Sequence, residues 1–467
     1  MFFSVYTLGC KLNQLETEAI TDSFRREGFS LFSPEDSGHN EPSILIINTC
    51  TVTSMAEQKA RRIIRKSLAD YPRACIIVTG CYAQMERAAL EALDTGAELR
   101  KRIFVIPGEE KDRLLDLPRF LGAARPGVGS ELSALVADWL ASRPAEMITD
   151  SAAHDERSFR FRPENFSAHS RAFLKIQDGC DHSCAYCRVS IARGRSRSLG
   201  AAKVLEELRS LELKGFSEVV LTGVNITQYT DSGLKRPGLS GLLEFLLGET
   251  EKIRIRLSSV EPDGLSEAFY DILANSRIRP HLHLSLQSGS GAVLAKMGRS
   301  YTPAGIVTAI ARIRSVRNDP FLACDIIAGF PGETEAEFQK TLELCESIGF
   351  AWIHAFPFSR RPGTAAYHFP QTVSEREAAG RVAQLTELAR KSRREYIRRW
   401  EGKEVEAVAE KGKGKRKGCV PGVSENYLKL LIAYDGEKAP DPGSLVRCRI
   451  IHGCEIPGFD AFGEILP

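Results

Sequence analysis

No stretch of this 467-residue chain approaches the ~20 consecutive apolar residues that a membrane-crossing helix needs. A helical membrane protein is therefore excluded. A strong charge imbalance is lacking too: 63 Lys and Arg face 60 Asp and Glu, for a formal charge of +3. Overall charge thus says little about partners, and local clusters must carry that argument. The opening residues, MFFSVYTLGCKLNQ, have no basic segment ahead of their apolar run, and Cys10 and Lys11 break the run early, so no export signal is expected. What is present is cysteine, 12 in all, in a chain that is 43% hydrophobic and long enough for about three domains. Without an export signal these thiols point to a reducing cytoplasm, where cysteines serve more often as ligands than as disulfides.

Cys180, Cys184 and Cys187 form a C-x3-C-x2-C loop in KIQDGCDHSCAYCRVS, directly after the strand-like run Phe173 to Gln177. Three thiolates can hold three corners of a [4Fe–4S] cube and leave the fourth iron without a protein ligand. Proteins that only shuttle electrons normally use four Cys, whereas an open position is the arrangement that binds a reactant. The competing reading is a zinc knot with His182 as fourth ligand. His182 lies inside the tight loop, and zinc sites favour paired C-x2-C halves.

The fold class read from the pattern is α/β in three segments: an N-terminal open parallel sheet, a central partial (β/α)6 barrel and a C-terminal small β-barrel. Residues 1–121 alternate short β-branched runs (FFSVYTLG, SILIIN, ACIIVTG, RIFVIP) with helical patterns near 14–27, 54–69 and 83–93. Cys10, Cys50 and Cys81 each follow the end of a strand. In an open parallel sheet the strand C-termini share one edge, and ligands bind in the crevice there. A second three-thiolate cluster is the sharper reading; simple buried thiols are the bland one. Cys75, at the start of its strand, belongs at the opposite edge and packs as a small hydrophobe. Residues 122–168 read as a linker, with a helix at 130–142.

Residues 169–400 hold six strand candidates (AFLKIQ, EVVLTG, IRIRLSS, HLHLSL, FLACDIIAG, WIHAFP) with helices between them and a long helix at 374–401. Six parallel strands do not close the eight-stranded barrel, so an open barrel is expected, with its active site at the strand C-termini. Polar and glycine-rich groups gather at those ends. Residues 401–467 give a β-rich tail. Between 390 and 417 the chain carries 12 basic and 5 acidic residues, and Lys411, Lys413, Lys415, Arg416 and Lys417 lie in a Gly-spaced loop. This is either a solvated charged tip or a surface that neutralises RNA phosphate without reading bases.

A site-open cube beside such a barrel mouth matches the arrangement that binds S-adenosylmethionine. The cofactor would carry the hard chemistry, so no Ser-His-Asp array or acid/base carboxylate pair is expected. Tyr186 would flank the adenine; Gln177, Thr222, Gly223, Asn225, Ser259, Glu261 and Gln287 are the groups assigned around the ribose and methionine.

The chain resembles the radical S-adenosylmethionine methylthiotransferase family along nearly its whole length. The resemblance is carried by the N-terminal three-cysteine pattern, the cysteine loop continuing into ARGRSRS, and the runs SLQSGSGAVLAKMGR, DIIAGFPGETEAEF and FPFSRRPGTAA. Phe356 opens the last run and joins the cofactor-binding set. A C-terminal module similar to the TRAM RNA-binding domain completes it. TLGCKLNQLETE, NTCTVTSMAEQKARR and TGCYAQ are most similar to the MtaB branch, which acts on tRNA carrying N6-threonylcarbamoyladenosine beside the anticodon.

The resemblance implies two [4Fe–4S] clusters, on Cys10, Cys50 and Cys81 and on Cys180, Cys184 and Cys187. It implies S-adenosylmethionine as both methyl donor and radical source, a cytoplasmic enzyme, a flavodoxin- or ferredoxin-like electron donor and a source of sulfur. Arg193, Arg195 and Arg197 would meet tRNA phosphate or form structural salt bridges. The competitors are the same chemistry on isopentenyladenosine or a ribosomal protein, and a non-catalytic iron–sulfur or zinc RNA-binding protein.

Overall fold

The computed structural model describes residues 1–32, 41–94, 101–124, 127–142, 157–166, 169–412, 416–434 and 438–466. They form two units. Residues 1–167 make the first, together with Asp178–His182 and Cys187–Arg197; residues 168–177, Ser183–Tyr186 and 198–467 make the second.

The first unit is built on a five-stranded sheet of β1 (Phe2–Thr7), β2 (Ser30–Leu31), β3 (Ile44–Thr49), β4 (Cys75–Gly80) and β5 (Ile103–Val105), in the order β2-β1-β3-β4-β5. Every pairing is parallel. β3 and β4 are buried at every position, which explains their unbroken ILII and CIIV runs, because helices cover both faces of such a sheet. Alternate side chains feed two cores. Ile44, Ile46, Cys75 and Ile77 join Ile20, Phe24, Leu121, Leu132 and Val136. Leu45, Ile47, Ile76 and Val78 join Ala60 and Ile64 of the helix Ser54–Asp70. Cys75 is fully buried at the first position of β4, as expected of a small apolar residue at that edge, and burial pushes its thiol up. The helix Ser130–Ala141 sends Leu132, Val136 and Trp139 into the first core.

The second unit begins with β6 (Ala172–Lys175). Two-residue strands β7 (Gln177–Asp178) and β8 (Arg197–Ser198) flank the cysteine loop. Then come β9 (Glu218–Thr222), β10 (Arg254–Leu257), β11 (Ser259–Val260), β12 (His281–Gln287), β13 (Phe321–Ala328) and β14 (Trp352–Pro357). They form two parallel sheets, β10-β9-β6 and β11-β12-β13-β14. The third strand, broken at Ser258, gives β10 to one sheet and β11 to the other. Six successive parallel strands thus make the open barrel.

The helix Glu375–Trp400 starts on a Ser374/Glu377 capping box. It leads into a closed five-stranded barrel, β15 (Glu404–Ala409), β16 (Cys419–Ser424), β17 (Lys429–Ala433), β18 (Leu445–Gly453) and β19 (Ala461–Ile465). Its core, with Val405, Ala407, Leu430, Ile432 and Ile450, is continuous with Phe321 of β13 and Tyr396 of the long helix. The small barrel is therefore packed against the entry end of the parallel strands.

Candidate functional site

In the first unit Cys10, Cys50 and Cys81 lie at the C-terminal edge of the sheet. Cys10 precedes the helix Lys11–Arg26, Cys50 follows β3, and Cys81 opens the helix Cys81–Met85 after β4. Gly9 brings two of these turns together. At φ +101° it adopts a conformation that favours glycine, and a Cβ there would stand 2.6 Å from Cys50 Cβ and 2.8 Å from Cys50 Sγ. Asn13 ties the same turns, donating from Nδ2 to Leu8 O (2.7 Å) and Thr49 O (3.0 Å). The thiols feel one another. Burial, then repulsion from Cys10 and Cys81, pushes Cys50 up to about 12. Cys10 is exposed at the surface, yet desolvation of its thiol among the packed turns raises it, with Arg193 opposing and Cys81 adding to the rise. Among the described residues no three ligating side chains converge on one point as a single metal ion requires. Three thiols that influence one another are the donor set a four-iron cube takes, one thiolate to each of three irons.

The cysteine loop enters through Gly179 at φ +73°, where a Cβ would overlap the Arg195 carbonyl. In the first unit, Cys180 N donates to Gly194 O (3.1 Å), and Val189 N donates to Cys187 Sγ (3.3 Å). The helix Val189–Arg193 follows. Arg188 is buried against Glu57 (3.3 Å) and Glu86 (3.1 Å). Arg193 is 8% exposed and pairs with Glu16 (3.0 Å) and Asp178 (3.1 Å), while its Nη2 donates to Asn13 Oδ1 (3.0 Å). Of the two readings open for Arg193, an RNA contact or an internal ion pair, the structure has the ion pair: a buried guanidinium committed to two carboxylates does not offer itself to phosphate. Arg195 is exposed beside Asp181 (3.3 Å), and Arg197 donates to Arg193 O (3.1 Å).

In the second unit the remaining loop residues lie with the ends of the parallel strands. Ala185 is held by Met297 O and by Ala366 N (2.9 and 2.7 Å). Tyr186 Oη accepts from Arg299 Nη2 (2.6 Å), and Arg299 pairs with Glu261 (2.5 Å). The Cys184 thiol is raised by burial and drawn back by Arg299. Gln177 is fully buried; its Oε1 accepts from Asn225 N (2.9 Å) and would lie 2.7 Å from a Cβ at Gly223. Three buried polar atoms at these strand ends, Thr222 Oγ1, Asn225 Nδ2 and Ser258 Oγ, have no hydrogen-bond partner among the described residues. Buried polar atoms are seldom left so, and here they mark a cradle for a polar ligand. Gln287 ends β12 at φ +65°, a strained conformation for a residue with a side chain. Ser259 is half-buried in β11, and Phe356 is exposed on β14. Ser258 and Arg299 escaped the reading of the sequence; Arg299 lay inside the quoted run SLQSGSGAVLAKMGR.

On the small barrel Lys411, Arg416 and Lys417 are exposed, and the Arg416 guanidinium lies 5.6 Å from the Phe462 ring centre. Lys413 and Lys415 lie outside the described residues.

Residues 174–345 match the model of the Radical SAM superfamily, and residues 3–99 match that of Uncharacterized protein family UPF0004. Threonylcarbamoyladenosine tRNA methylthiotransferase MtaB of Treponema pallidum (strain Nichols) is 41% identical, covering 96% of this chain and 97% of that one. The protein of the same name from Bacillus subtilis (strain 168) is 31% identical over 96% and 93%. tRNA-2-methylthio-N(6)-dimethylallyladenosine synthase of Chlorobaculum tepidum is 33% identical over 87% and 86%. No helix among the described residues is long and apolar enough to cross a membrane. With two cysteine triads in order and likeness across nearly the full length, the chain belongs to the radical S-adenosylmethionine tRNA methylthiotransferase family.

Proposed function

We propose that the chain methylthiolates C2 of N6-threonylcarbamoyladenosine beside the anticodon of tRNA, in the cytoplasm, with S-adenosylmethionine as methyl donor and radical source. The observation that carries this reading is the pair of cysteine triads, one at the carboxyl edge of a parallel sheet and one in the loop that follows β6, in a chain 41% identical over nearly its full length to a protein named Threonylcarbamoyladenosine tRNA methylthiotransferase MtaB. The cofactors are S-adenosylmethionine and two [4Fe–4S] clusters, which when bound supply the sulfur and the radical chemistry.

The chain's own residues hold and shield these groups. Cys10, Cys50 and Cys81 would hold one cluster, and Cys180, Cys184 and Cys187 would hold the other. Ala185, pinned by backbone bonds on both sides, steadies the neighbouring Tyr186, whose ring would flank the adenine. Arg299 fixes the ring through its hydroxyl and also pairs Glu261, so both side chains are held in place for the cofactor. Thr222, Asn225 and Ser258 present their unpartnered atoms to it, with Gln177, Gly223, Ser259, Gln287 and Phe356 around them. The lack of side chain at Gly223 keeps the backbone within reach of Gln177. Arg195, Arg197, Lys411, Lys413, Lys415, Arg416 and Lys417 supply positive charge for tRNA phosphate. A flavodoxin- or ferredoxin-like protein would supply electrons, and a separate source would supply the sulfur.

Anaerobically purified protein is expected to carry roughly eight irons in two four-iron clusters. Replacing Cys180, Cys184 and Cys187 together by Ala should leave the N-terminal cluster and abolish S-adenosylmethionine cleavage; retained cleavage would reject the assignment. The relatives named for dimethylallyladenosine make isopentenylated adenosine the second reading. Nucleoside analysis of tRNA from a deletion strain separates the two. Loss of methylthio-threonylcarbamoyladenosine supports the first, and loss of the isopentenyl product with the other unchanged supports the second.

A further inference from the structure

Around the N-terminal cysteines the first unit buries four charged side chains in a row: Lys111, Glu16, Arg193 and Asp178. Lys111 Nζ lies 2.5 Å from Glu16 Oε2, Arg193 Nη1 lies 3.0 Å from Glu16 Oε1 and 3.1 Å from Asp178 Oδ1, and all four side chains are 3–8% exposed. Such a row is costly to desolvate and is weak as a device for stability alone. Its position explains it better. Asn13 stands between the row and the cysteines: Oδ1 accepts from Arg193 Nη2 (3.0 Å), while Nδ2 bonds Leu8 O and Thr49 O, in the turns that carry Cys10 and Cys50. The guanidinium is thus held one side chain away from both turns. Burial works against its charge, yet Glu16, Cys81, Asp178 and Cys10 outweigh that and hold Arg193 well above its usual range.

We propose that Arg193 is the charge partner of the Cys10, Cys50 and Cys81 site, a positioning residue whose fixed cation, balanced by Glu16, sets the reduction potential of the cluster bound there. This rests on the two-cluster reading above. Both terminal nitrogens of Arg193 are already committed to Glu16, Asp178 and Asn13, so its action on the cluster is through charge. A nearby cation stabilises the reduced, more negative form of a cluster, and net local charge is one of the levers on cluster potential. Because Arg193 lies in the helix that directly follows Cys187, the segment that forms one cysteine site also supplies the counter-charge of the other.

The test uses the full chain with Cys180, Cys184 and Cys187 changed to Ala, reconstituted anaerobically so that only the N-terminal cluster is present. Its potential is read by redox titration with electron paramagnetic resonance. Arg193→Gln should shift the potential negative, Glu16→Gln should shift it positive, and Arg193→Lys should stay near the parent. Arg160→Met, which removes an ion pair to Asp112 and Asp116 elsewhere in the same unit, should not move it. An intact cluster whose potential is unmoved by both Arg193→Gln and Glu16→Gln overturns the inference while leaving the two-cluster reading standing. A parent protein with no N-terminal cluster overturns both. Should Arg193→Gln fail to hold a cluster, Glu16→Gln decides: a positive shift supports the inference and no shift overturns it.

Discussion

Glu218 and Thr222 stand at the two ends of one strand, β9, and on the same face of it. Their surroundings are opposites. Around Glu218, at the entry end of the open barrel, Arg256 gives two bonds (2.6 and 2.9 Å), Arg279 a third (2.8 Å), and Arg171 lies at 3.6 Å. Arg279 also pairs with Glu406 of the small barrel, and the Tyr427 ring lies 5.2 Å from the Arg256 guanidinium and 4.0 Å from the His281 ring. One nitrogen there, Nη2 of Arg279, keeps no hydrogen-bond partner among the described residues. Around Thr222, at the exit end, the hydroxyl and its neighbours Ser258 Oγ and Asn225 Nδ2 are all buried and all unpartnered among the described residues. The entry end spends its polar groups on each other; the exit end withholds them. Barrels of this kind divide labour in that way, with stability at the N-terminal face of the strands and chemistry at the C-terminal face.

Removing the centre of the entry-end network tests that division most severely. Glu218→Ala leaves two buried guanidiniums, Arg256 and Arg279, and the half-buried Arg171 without their shared carboxylate and should cost about 3–5 kcal/mol, read as a lower denaturant midpoint. Loss of cofactor binding in protein that is still fully folded would break the comparison. The same carboxylate predicts a pH dependence. Burial pushes Glu218 up, but Arg256, Arg279 and Arg171 outweigh it and hold it at about 2 against an ordinary 4.5. A depressed folded value means stability that is fully present above pH 4.5 and is lost as pH falls toward about 2. The melting temperature should drop across that window, and Glu218→Gln should flatten the drop.

At the exit end the signs reverse. Thr222→Val and Ser258→Ala each remove an unpartnered buried hydroxyl, so stability should hold or rise slightly. S-adenosylmethionine affinity should fall, by about 1–2 kcal/mol for a lost hydrogen bond, or roughly 5–30-fold. Calorimetry on reconstituted protein reads the second effect and thermal melts the first. Destabilisation with unchanged affinity would make Thr222 a structural residue and erase the contrast with Glu218.

The comparison also shows which features a sequence exposes. The strands β3, β4, β5, β6 and β9 are legible because their apolar runs are buried at every position, β1 and β14 are legible from β-branched and aromatic residues although they stay partly open to solvent, and the long helix is legible from its Ser374 cap and periodic pattern. β16, Cys419–Ser424, is hidden: Pro421 and Gly422 break its pattern, and only closure of the small barrel makes it a strand. β2, with two residues, offers no periodicity. The cysteines are legible because thiol chemistry is scarce and their spacing is local. Ser258 and Arg299 are not, since a serine or an arginine acquires meaning only from where the backbone sets it. Arg193 is the sharpest case. It shares an alternating ARGRSRS run with Arg195 and Arg197, yet it turns inward to Glu16 while Arg195 turns out to solvent.

That last difference yields the smallest effect and a clean discriminator. Exposed cations that meet phosphate release counterions on binding, so each lost contact should lower the salt slope of tRNA affinity by about 1. Lys411→Ala, Arg416→Ala, Lys417→Ala and Arg195→Ala are expected to do so with little change in stability, because their side chains stand in solvent. Arg193→Lys should leave the slope where it was, since a guanidinium committed to Glu16 and Asp178 meets no phosphate and so releases no counterion. Filter binding of tRNA across a range of salt distinguishes the two behaviours. A slope that falls with Arg193→Lys and holds with Arg195→Ala would mean that burial is a poor guide to which arginines of this run meet RNA, and the internal ion pairs would then have to open on binding.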